Sequence, residues 1–88
     1  MTDRKGNELK IGDLVAFRHP SRKLPFNWEL KKGIIKRIFI EGLEECEIET
    51  RELESSDLYP VYSNLNVQKL PLSVEEHDAI LMLWKLEL

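Results

Sequence analysis

From Glu45 to Arg51 the chain alternates without a break, with Cys46, Ile48 and Thr50 on one side and Glu45, Glu47, Glu49 and Arg51 on the other. A period of two with one charged face predicts an antiparallel strand, half buried and half in water. The run before it, Ile34 to Ile40, opens after Gly33 and carries apolar residues on both sides. That pattern predicts a long strand that bends and packs in two places. Glu41-Gly42-Leu43-Glu44 reads as the turn between them. Earlier in the chain, Leu14 to Arg18 is apolar at both parities, so this strand is expected to be buried on both faces. His19-Pro20 is expected to end it, because a proline cannot donate to a ladder.

The remaining pattern is weaker. Residues 1–8 are polar and read as frayed or as a short lead-in, with turn signals at Gly6-Asn7 and Gly12-Asp13. Arg18 to Lys32 reads as one long irregular loop with Pro20 and Pro25 inside it. Glu52 to Asp57 reads as a polar connection, and Leu58 to Tyr62 as an edge strand because it holds Pro60. Ser63 to Asn66 is a turn, and Val67 to Leu70 a last short strand before Pro71. A helix is predicted over 73–87, with Ser73 and Glu76 at capping-box spacing. Its apolar residues fall in two arcs. Val74, His77, Ile80, Leu81, Trp84 and Leu88 form one; Ala79, Met82, Leu83 and Leu86 form the other. One core needs only one such arc.

These elements predict a mainly β fold: a five-stranded small barrel over 9–70 followed by a C-terminal α-helix, one domain over 1–88. The length of 88 residues allows a single core. Hydrophobic content of 42% with 33% charged residues excludes a disordered chain. No apolar run reaches the roughly 18 residues of a membrane helix, and residues 1–8 lack the apolar core of a signal peptide. Membrane association is therefore not expected. The single Cys46 excludes an internal disulfide and points to the cytoplasm.

Charge changes the picture. Residues 1–40 carry a net +6 and residues 41–88 a net −9. Either the first half presents a basic binding face, or a basic strand pairs with an acidic one, with Lys36 and Arg37 facing Glu47 and Glu49. No catalytic set emerges. His19 and His77 lie far apart, and Cys46 stands alone without zinc-site spacing. No enzyme activity, metal or cofactor is expected. The candidate site is the basic and aromatic loop, through Arg18, Arg22, Lys23, Phe26, Trp28, Lys31 and Lys32. Trp and Arg anchor protein interfaces, while cations with aromatic faces also suit RNA or DNA. The second candidate is the outer helix arc, through Met82, Leu83 and Leu86, as a dimer or partner contact.

The order of strand, loop, Gly-initiated strand, hairpin, edge strand, turn and short strand resembles an SH3-like small β-barrel. The G-D-L-V-A-F opening and the K-G-I-I-K-R-I strand look like the entry of KOW and Tudor-type modules. His19-Pro20, Phe26, Leu30-Lys31 and Gly33 are spaced similarly to the variable chain of ferredoxin–thioredoxin reductase, a non-catalytic barrel subunit. That likeness stops after Ile38 and does not include the helix. The resemblance implies a small adaptor or accessory subunit that binds another protein, with nucleic-acid binding as the alternative.

Overall fold

The computed structural model describes residues 1–20, 27–39, 45–52 and 55–87. The strands are β1 (Leu14–Pro20), β2 (Trp28–Phe39), β3 (Glu45–Glu52), β4 (Ser55–Val61) and β5 (Val67–Lys69), and the helix is α1 (His77–Leu86). All pairings are antiparallel and the sheet order is β4-β3-β2-β1-β5. The fold is thus a mainly β, five-stranded open sheet with a C-terminal helix. A 3₁₀ turn at Asn64–Asn66 returns the chain from one edge of the sheet to the other.

β2 is the strand that shapes the sheet. Its first half pairs with β1, from Pro20↔Trp28 to Leu14↔Ile34, and its second half pairs with β3 from Ile34↔Glu49 onward. The register shifts between Ile35 and Arg37, where an extra residue bends the strand. Gly33 lies just before it, where β3 comes close. A Cβ there would lie 2.5 Å from Ile48 Cγ2 and 2.7 Å from the Glu49 carbonyl oxygen, so only glycine lets β3 close over β2. The expectation that Gly33 opens this strand is corrected: it lies inside β2, which begins five residues earlier at Trp28. Likewise β1 runs through Pro20, which tolerates its place because it ends the strand. Of the long loop expected from Arg18 to Lys32, the described residues 18–20 and 28–32 are paired backbone, and 21–26 lie outside the described residues.

β4 also starts earlier than its composition suggests. Ser55 to Asp57, read as a connection, pairs with Thr50 to Glu52. Backbone ladders impose no demand for apolar side chains at a sheet edge, and β4 is the edge strand that Pro60 implied. The turn around Gly42 and the terminal Leu88 lie outside the described residues.

Two cores flank β1, as its two apolar parities required. On one face Val15 and Phe17 pack with Leu9, Ile35, Cys46, Ile48, Val61 and Val67. On the other, Ala16 packs with Leu70 and Trp84, with Leu14, Leu30, Ile80 and Leu81 around them. The helix therefore lies across the outer face of β1 through its first arc. His77 pins its start: the Nε2–H donates to the Pro71 carbonyl oxygen at 2.6 Å. The capping box does not form, and Ser73 makes no side-chain cap bond. The chain enters α1 through a tighter 3₁₀ turn at Val74–Glu76, which removes the spacing that the box needs.

Of the two readings of residues 1–8 the structure has the short lead-in, ordered by burial of Asp3. Burial favours the protonated acid, but the N–H groups of Lys69, Asn7 and Lys5 and the Asn7 amide all donate to the carboxylate. They hold its pKa below the ordinary value. Thr2 bridges Glu8, and Arg4 reaches across to Gln68, Glu87 and the Trp84 ring. Gly6 and Gly12, at φ of +86° and +94°, take the two turn conformations expected near them.

Candidate functional site

The first half of β2 and the helix enclose a groove of about 570 Å³. Trp28 and Leu30 form its β wall, because they alternate onto the outer face of the sheet. Leu81 and Met82 form its helical wall, with Asn27, Glu29, Lys31 and Lys85 completing the lining. Of the residues expected to bind a partner, the groove brings together Trp28 and Lys31 from the basic-aromatic segment and Met82 from the helix. Groove walls of large apolar side chains with a few charges suit recognition of another chain.

Arg18 supports the β wall. Its guanidinium lies 4.8 Å from the Trp28 ring centroid, and its Nε–H donates to Asn66 Oδ1 at 2.7 Å. The 3₁₀ turn therefore fixes the arginine, and the arginine backs the tryptophan. Lys31 stacks over the Tyr59 ring at 5.4 Å. Lys32 lines a smaller cavity of about 220 Å³ with Leu14, Gly33, Ile34, Lys36 and Glu49. Of the helix residues, Met82 borders the groove, while Leu83 and Leu86 do not line it. Arg22, Lys23 and Phe26 lie outside the described residues.

Leu30, Leu81, Lys85 and Asn66 were not named as site residues in the sequence. Leu30 shares a strand parity with Trp28, and Leu81 belongs to the inner helix arc, so a pairing of those two patterns was the available signal. Asn66 gave none, since its partner is 48 positions away.

Other chemistry is accounted for by packing. Cys46 is buried, and burial pushes its thiol up to about 11, which keeps it protonated and inert at neutral pH. His19 stacks on Tyr59 at 4.8 Å, with Nε2 at 3.5 Å from Glu29 Oε2. Neither Cys46 nor His19 lines either cavity. Among the described residues no cluster of three or more His, Cys, Asp or Glu is arranged to hold a metal. Nor is any described helix long and apolar enough to cross a membrane. The opposed charges of the hairpin meet each other: Lys36 lies 3.0 Å from Glu49 and Arg37 3.9 Å from Glu47.

A family model described as a domain of unknown function (DUF7205) matches residues 1–57. The match contains β1, β2 and β3, and so the β wall of the groove; α1 follows it. No curated protein and no solved structure matches the chain.

Proposed function

The chain belongs to the DUF7205 domain family, and we propose that it acts as a non-catalytic accessory module that binds another protein in the groove between β2 and α1. The observation that carries this reading is the convergence of Trp28 and Leu30 with Leu81 and Met82 around one cavity. The occupant is a short apolar segment bearing carboxylates. Its apolar side chains fill the space between Trp28 and Met82, and its carboxylates face Lys85. Buried aromatic area supplies the affinity, and the rim charges supply orientation and encounter rate.

The same reading takes the fold as an SH3-like small barrel. Three features support it: a strand order in which β5 returns beside β1, a bent β2 shared between two partners, and a 3₁₀ turn before the last strand. It also keeps the module in the cytoplasm, where the lone buried Cys46 suits a reducing compartment.

The test is affinity capture from the native cell followed by binding of the purified captured protein. Trp28→Ala and Met82→Glu change opposite walls of the groove and are each expected to weaken binding at least tenfold. Leu58→Ala, on the far edge strand, is expected to leave it unchanged. Equal binding by all four proteins overturns the groove assignment. A heteronuclear NMR titration with a mixed oligonucleotide at two salt concentrations addresses the nucleic-acid reading. Salt-sensitive shifts centred on Arg18 to Lys36 would replace the protein partner with RNA or DNA.

A further inference from the structure

The helix has a second apolar stripe that no described element covers. Ala79, Met82, Leu83 and Leu86 follow the i, i+3, i+4, i+7 spacing of a single face. Met82 is 66% exposed, Leu83 65% and Leu86 79%, while the opposite face buries His77 and Trp84. A helix held to its own sheet by one face and apolar on the other is shaped for a second helix.

Charges at the border of the stripe identify that helix. Asp78 and Lys85 lie two turns apart on the flank beside Met82, and neither forms an ion pair with a described residue. The other flank is closed by Glu87, which is held by Arg4. Two helices related by a two-fold axis near Met82 run antiparallel, and residues on the same flank then face each other. Asp78 comes beside Lys85 of the partner subunit, and the same pair forms again by symmetry. Along the seam Ala79 lies near Leu86 of the partner subunit, and Met82 near Leu83 of the partner subunit. In a parallel two-fold pair the same flank falls on opposite sides of the seam, so Asp78 and Lys85 would not meet their counterparts.

We infer that the outer stripe of α1 is a self-association surface, forming a two-fold antiparallel helix pair with a second copy of this chain. Met82 and Lys85 border both the stripe and the groove, so the test is made on the chain without a groove partner. A ten-residue helix is only about 15 Å long, so the seam is smaller than the roughly 1,200–2,000 Å² of a standard interface. Association in the weak class follows, with Kd between about 10 µM and 1 mM.

Sedimentation equilibrium over about 10 µM to 1 mM of the whole chain, without any partner, tests this. The average mass is expected to rise from the monomer value of 10.4 kDa toward twice that value. Leu83→Glu, a change at an exposed position, is expected to hold the chain at monomer mass with an unchanged circular dichroism spectrum. Asp78→Lys and Lys85→Asp are each expected to weaken association about tenfold, because each turns two attractions per dimer into repulsions. Combining them is expected to restore it to within about threefold, a result unique to opposed flanks. Monomer mass throughout the range overturns the proposal and leaves the stripe to a foreign helix. Self-association that survives Leu83→Glu, or that the double exchange fails to restore, overturns the antiparallel two-fold arrangement.

Discussion

Arg4 lies 4.7 Å from the ring centroid of Trp84, and Arg18 lies 4.8 Å from that of Trp28. Both tryptophans belong to the outer side of β1, and both arginines are held by a side chain far along the sequence. Arg4 donates to Gln68 and Glu87, and Arg18 to Asn66. The surroundings differ. Trp84 is 2% exposed and closes a core between sheet and helix, whereas Trp28 is half-buried and walls an open groove. The same residue pair therefore serves cohesion in one place and a concave surface in the other. What separates them is whether another element of the same chain covers the ring.

The largest expected effect comes from breaking the buried member. Trp84→Ala is expected to cost about 3–5 kcal/mol in urea denaturation, from lost burial and a cavity. Trp28→Ala is expected to cost less than about 1 kcal/mol by the same measurement, while weakening partner binding. Equal losses from the two would erase the distinction.

Gly33→Ala comes next, since β3 packs directly on it between the groove wall and the β3 ladder. Its Cβ meets backbone at 2.7 Å, which a rotamer change cannot relieve. A loss of about 2–3 kcal/mol is expected, as for overpacked cores, with NMR shifts that spread to Trp28 and Ile48.

Asp3→Asn tests the lead-in that delivers Arg4 to Trp84. One carboxylate oxygen becomes an amide donor facing N–H groups, and a loss of about 1–2 kcal/mol is expected at neutral pH. The wild-type carboxyl has its folded pKa below the unfolded one. Its stabilisation is therefore fully present above the unfolded value near ~3.9 and is lost as the pH falls through the folded value. Denaturation at stepped pH should show a steeper acid loss for the wild type than for Asp3→Asn.

The smallest effect is the coupling within each stack. Double-mutant cycles on Arg4/Trp84 and Arg18/Trp28 are expected to give about 1–2 kcal/mol for the desolvated pair and about 0.5–1 kcal/mol for the half-exposed pair. A reversed order would mean that the groove stack, not the core stack, is the tighter structural unit.

How much of this was written in the sequence depends on whether a signal was local. The alternation of Cys46 and Ile48 against acidic neighbours gave β3 directly, and the two apolar parities of Leu14 to Phe17 gave a strand buried on both sides. The first helix arc gave the face that docks. Trp28 to Lys32 was legible as chemistry but not as strand, because mixed basic and aromatic residues beside Pro25 look like a loop. Their pairing with Arg18 to Pro20 is a property of the ladder. Asp3 was illegible for a plainer reason: the Lys69 N–H that makes it structural is 66 residues away. Half of the candidate site was readable as residue types. Its concavity was not, since that required the helix to lie beside β2.

The unequal cover over the two tryptophans has an optical consequence. Indole emission shifts with the polarity around the ring, so Trp84 and Trp28 divide the fluorescence of this chain into a buried and a wetter component. The buried component follows unfolding, when the helix leaves β1. The wetter one responds to whatever enters the groove while the fold stays intact. With no added label, a single emission spectrum separates occupancy of the groove from loss of the fold.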